Sequence, residues 1–133
     1  MREAAEVTVQ VGLVDVLAGI GVPVYTVVPQ AADGGSAAVF PYIQIDDPVF
    51  APFDTASNDG HDFVVRIHVR WRGGSKLPGK RLQGEIYERL HHMDLPLTGW
   101  RVVLLKHAQS FVDTLTDQTF DGVCEFNGLI EKT

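Results

Sequence analysis

Five histidines, one cysteine and an adjacent pair of aspartates are the residues of this 133-residue chain that could carry chemistry. A metal centre needs three or four ligands converging on one point. His91 and His92 are neighbours, so on a helix their side chains diverge by about 100°, and neither HExxH nor CxxC spacing is present. His61, His68 and His107 are scattered, and all five imidazoles are expected to be capping or surface groups, with His91 and His92 near a helix C-terminus. A nucleophile needs a base within hydrogen-bond reach. The sequence holds no GxSxG elbow, no papain-like or caspase-like cysteine context and no Ser-x-x-Lys. Cys124 alternates in step with Phe126 and Ile130 and reads as a core thiol. Asp46 and Asp47 would point to opposite faces of a strand, which defeats an acid–base pair. Gly34-Gly35-Ser36 and Gly73-Gly74-Ser75-Lys76 lack the frame of a phosphate loop. No catalytic, cofactor or metal site is expected, and a small hydrolase is the weakest reading of the chain.

Charge is the stronger signal. The net charge is -6, yet residues 1–60 hold eight acids and only Arg2 as a base, while residues 61–133 hold ten bases and nine acids. Asp46, Asp47, Asp54, Asp59 and Asp62 form an acidic stretch that runs directly into Arg66, Arg70, Arg72, Lys76, Lys80 and Arg81. A domain with such poles can meet a copy of itself head to tail. The acidic stretch, with Phe50 and Phe53 in it, and the basic run Arg66, Arg70 and Arg72 are therefore the candidate contact residues. The competing reading is a nucleic-acid-binding α+β module that tracks phosphates with Arg66 to Arg72. Against it stand a pI of about 5.2 and the absence of stacking aromatics on that face, since Phe63 and Trp71 alternate to the other side.

The elements that place these residues follow from periodicity. Residues 3–20 read as a helix on which Val7, Val11, Val14 and Ala18 follow one stripe beside Leu13, Leu17 and Ile20, stopped by Gly21 and Pro23. Val24 to Val28 reads as a short strand, Ala31 to Ala38 as a loop and Phe40 to Asp47 as a second strand ended by Pro48. Pro48 to Gly60, with two prolines and several Asp or Asn residues, reads as a long mobile loop. Phe63 to Arg72 alternates strictly between apolar residues and Val64, Arg66, His68, Arg70 and Arg72: a strand with one greasy and one basic face. Residues 78–93 return to helical spacing through Leu82, Ile86 and Leu90. Trp100 to Val112 and Phe120 to Glu131 close the chain as a hairpin. The order α-β-β-β-α-β-β predicts an α+β fold, with two helices on one face of a mostly antiparallel sheet of about five strands.

Length and composition bound the rest. A chain of this size is expected to form one domain, residues 1–133, with a core that needs no disulfide staples. Mean hydropathy near zero is that of an ordinary globule. No run of about 18 apolar residues exists, and the acidic start MREAAEVTVQ is unlike a signal peptide. No membrane association is expected, and a single cysteine fits a reducing cytoplasm.

Taken in order, several short segments resemble the tail terminator (tail-completion) family of long-tailed bacteriophages and gene transfer agents. They are the N-terminal helix; Val28-Pro29-Gln30; FPYIQIDDP at Phe40 to Pro48; Asp54-Thr55; the HVRW strand; the stretch from Trp71 through Val102; and TDQTFDGVCEF in the closing hairpin. The similarity runs over about residues 7–131; Pro78 and Gly79 depart from it near the start of the second helix. The resemblance implies a structural virion protein and no enzyme. Six copies would form a ring that caps the finished tail tube, contacts the tube protein and presents the docking surface for the head connector. DNA would pass through the lumen without specific binding, and the protein, made in the bacterial cytoplasm, would reside at the head-proximal end of the tail. Size permits this: a 133-residue globule is about 36 Å across, and six in contact enclose a hole of about 36 Å, wider than a duplex of about 20 Å.

Overall fold

Alternation from Phe63 to Arg72 builds the strand around which everything else is arranged. The computed structural model describes residues 4–30, 38–55, 58–116 and 118–133. Their element order is α1 (Ala5–Leu17), β1 (Val24–Tyr25), β2 (Tyr42–Ile45), β3 (Val49–Pro52), β4 (Gly60–Arg72), α2 (Leu77–Leu90), β5 (Trp100–Thr114) and β6 (Thr119–Lys132). The loop expected at Ala31 to Ala38 lies, apart from Ala38, outside the described residues. The sheet runs β1-β2-β4-β6-β5, with β3 also on β4. Every pairing is antiparallel except the short parallel one between β1 and β2. The fold is α+β, as expected, with six strands where five were anticipated.

The extra strand corrects the reading of Pro48 to Gly60 as a mobile loop. Val49 to Pro52 pairs with His61 to Val64 of β4, and the Phe53 N–H donates to the Gly60 carbonyl at 2.9 Å. With Phe53 bonded inward, alternation turns the Pro52 nitrogen away from β4, where a missing N–H costs nothing. Phe50, expected to await a partner, packs its ring 5.4 Å from that of Phe63. Of the remaining turn, Ala56 and Ser57 lie outside the described residues.

The core lies between the sheet and both helices. Phe63, Val65, Ile67, Val69 and Trp71 of β4 and Cys124, Phe126 and Ile130 of β6 are buried under Val9, Leu13 and Leu17 of α1 and Ile86 and Leu90 of α2. Helix α1 is apolar nearly all round, so periodicity alone does not choose its inner face: Val7 and Val11 of the noted stripe face solvent. Helix α2 begins at Leu77 with proline in its first turn, where a missing N–H is harmless. Gly79 sits where a Cβ would enter the Trp71 ring, which accounts for the glycine in that turn.

The two helices are tied by Arg89, whose guanidinium donates to the carbonyls of Val16 and Ala18 at 3.1 Å each, satisfying the open end of α1. Arg89→Ala is expected to lower stability by about 1.5 kcal/mol. Glu85→Ala, which removes only the exposed pair with Arg89, should change it by less than about 0.5 kcal/mol. Denaturant midpoints of both variants check the contrast, and equal losses would contradict it.

Candidate assembly surface

The sheet face opposite the helices is where the expected contact residues gather. Antiparallel pairing places Tyr42, Gln44 and Asp46 beside Arg70, His68 and Arg66, and these beside Asp121, Val123 and Glu125 of β6. At its centre the His68 imidazole lies between two carboxylates, with Nε2 2.8 Å from Asp46 Oδ2 and Nδ1 3.0 Å from Asp121 Oδ1. Hydrogen bonding to Asp121 and then to Asp46 holds the His68 pKa above its ordinary value, against the opposing effect of burial. Because each nitrogen faces a carboxylate, the protonated ring can donate from both at once. It fastens β4 to both neighbours.

The arginines are engaged in the same way. Arg66 Nε donates to Glu125 Oε1 at 3.0 Å, Arg70 bonds Gln44 and lies 3.6 Å from Asp121, and Arg72 donates to Thr119 Oγ1 while covering the Phe40 ring. Arg66 and Arg70 each have an acidic partner on β6, so Glu in place of either would face Glu125 or Asp121 and disturb the fold itself. Sequence spacing placed these groups on one face, but only the strand register shows which acid meets which base.

The acidic residues divide. Asp46 belongs to the His68 network, Asp54 accepts the Gly60 N–H, and Asp59 faces Lys132 at 3.5 Å. Asp47 and Asp62 are exposed and have no partner among the described residues. Phe53 is about half exposed and, with Val103 and Leu129, lines a pocket of about 140 Å³ beside Asp59 and Gly60. Val103 follows core-facing Val102 and so points outward, and the register shift between Val102 and Leu104 in β5 turns Leu104 outward beside it. No residue pattern marks this pocket, because its walls come from the turn after β3 and from β5 and β6, which meet only in the folded sheet.

Groups able to do chemistry are occupied or buried. Cys124 is fully buried, and that burial pushes its thiol pKa up. His91 and His92 do not diverge as a continuing helix would make them. Helix α2 stops at Leu90, His92 takes a φ of 60°, and the two rings come within 3.9 Å. The His91 Nδ1 accepts the backbone N–H of His107, stitching this turn to β5. Among the described residues, no group of three His, Cys, Asp or Glu side chains is placed to hold a metal ion.

Comparison with known proteins decides the family. A family model described as "Tail completion protein gp17" matches residues 14–131. The chain belongs to this family. A curated relative, the tail completion protein gp17 of Bacillus phage SPP1, is 28% identical over 96 residues, covering 71% of each chain. A chain in the solved virion of a native gene transfer agent particle superposes with a TM-score of 0.71 at 17% identity, covering 96% of this chain and 95% of that one. A further solved chain, 12% identical, gives a TM-score of 0.57 over 98% of this chain and 97% of its own. Family membership makes the chain a structural tail-completion component of a virion-type particle, as the sequence resemblance implied.

Proposed function

We propose that the chain, acting as one domain, closes the head-proximal end of a completed tail tube as a homo-oligomeric, hexameric ring and offers the surface on which the head connector docks. The observation that carries this reading is the family match across residues 14–131. The buried thiol and the doubly engaged His68 support a structural rather than catalytic role. DNA passes through a lumen that the acidic balance of the chain keeps from gripping it. The internal pairing of Arg66 and Arg70 removes the free positive face that a nucleic-acid-binding module would use.

Purified protein, alone and on isolated tail tubes, should show rings about 100 Å wide in negative stain, the width of six such globules in contact. Particles made without the gene should accumulate heads and tails that are not joined. Normal yields of joined particles in its absence would refute the reading.

A further inference from the structure

Exposed apolar side chains outside the His68 network include Val7 and Val11 on the flank of α1, Leu77 at the start of α2, and Phe53 and Val103 at the pocket. Only the start of α2 and the pocket match. The pocket combines apolar walls from Phe53, Val103 and Leu129 with Asp59 and Glu131, which are bridged to Lys132 and Arg101; exposed Asp62, paired across the strands with Leu129, has no ion-pair partner among the described residues. The start of α2 presents the converse. Leu77 is about half exposed, and Lys76, Lys80 and Arg81 surround it one, three and four residues away on the helix surface. Among the described residues, none of these three basic side chains makes a hydrogen bond or ion pair.

The two surfaces lie at opposite ends of the molecule. The pocket is built where β4 begins at Gly60, and α2 starts just past Gly73 and Gly74, where β4 ends at Arg72. The 13 residues of β4 separate them by about 40 Å at the rise of an extended strand. Complementary patches at opposite poles of one chain cannot satisfy each other within it. Between copies they form a heterologous contact, the kind that closes into a ring.

We propose that Leu77 of one copy, with Lys76, Lys80 and Arg81 about it, seats in the pocket between Phe53, Val103 and Leu129 of the next copy. This rests on the ring reading above and names its contact. The basic side is thus the start of α2 rather than Arg66, Arg70 and Arg72, while Phe53, Asp54, Asp59 and Asp62 remain on the acidic side. The apolar insertion supplies affinity and the charges set its direction.

A Leu77→Cys, Val103→Cys double variant tests the contact under mild oxidation, at a concentration where the native chain forms rings or, if it is monomeric alone, on isolated tail tubes. Cys124 is buried and takes no part. The expected result is a non-reducing ladder in steps of one 14.6 kDa chain, which neither single-cysteine variant produces. Lys80→Glu with Arg81→Glu should weaken assembly at least ten-fold without moving the melting temperature, and adding Asp62→Lys, at an exposed aspartate with no ion pair among the described residues, should restore part of it. Rings that form with no ladder overturn this contact and leave the ring reading standing. A Val103→Cys bond to another protein also overturns it. Absence of rings both alone and on tubes overturns the contact and the ring together.

Discussion

Gly128→Ala is expected to lower stability by about 3 kcal/mol, the upper range for forcing a methyl into a packed core. For a domain of this size that is a fall in melting temperature of roughly 10 °C. In most strands the change would help, because alanine loses less backbone freedom on folding than glycine does. Here the Cβ of residue 128 would enter the ring of Phe63, its direct cross-strand partner. That ring is fully buried, with Phe50 against it, so it has no room to swing aside. A methyl at 128 and a ring at 63 therefore compete for one space. Phe63→Val alone should cost about 3 kcal/mol by leaving a cavity, and the double variant should be at least about 1 kcal/mol more stable than the sum of the two losses predicts. Chemical denaturation of the four proteins checks this; strict additivity, or a harmless Gly128→Ala, would refute the account.

His68→Ala should cost about 2 kcal/mol near pH 6, since it removes two hydrogen bonds between charged groups and leaves Asp46 and Asp121 facing one another. Its signature is the pH dependence. The folded pKa of His68 lies above its ordinary value, so the stabilisation is complete below the unfolded pKa of about 6.5. It is lost as pH rises through the folded value. Asp46 and Asp121 are the carboxylates that face the ring, and Arg70 lies 3.6 Å from Asp121. The difference in melting temperature between native protein and His68→Ala should therefore be constant below about pH 6 and shrink as pH climbs above it. Taking the difference cancels the other four histidines. A gap that widens toward alkaline pH would contradict the imidazolium assignment.

The sequence made some elements legible because one period governed them. β4 was plain, since five apolar and five polar or β-branched residues alternate without a break, and α2 was plain through Leu82, Ile86 and Leu90. β3 was hidden because Pro48 and Pro52 read as breakers; in fact one precedes the strand and the other ends it with its nitrogen turned outward. The inner face of α1 was ambiguous because valine lies on both sides of it. At the contact surface, sequence placed the charges on one face, but a side chain's partner depends on register. Thus Arg66 and Arg70, which look free in one dimension, meet Glu125 and Asp121 some fifty residues later. The exposure of Leu77 depends on where a helix starts, and the pocket beside Val103 on which strands and turn meet there; composition carries neither.

Every one of the 13 residues of β4 is matched by a residue of β6. If neighbouring copies join at the two ends of β4, tension around the ring acts along that strand. Interstrand hydrogen bonds in an antiparallel ladder lie across the strand axis, so a load that enters through Leu129 of β6 and leaves through the end of β4 into α2 shears all of them at once instead of peeling them one by one. A ring joined in this way would behave mechanically as a hoop of strands loaded lengthwise, stiffest in the direction in which internal pressure from passing DNA would stretch it.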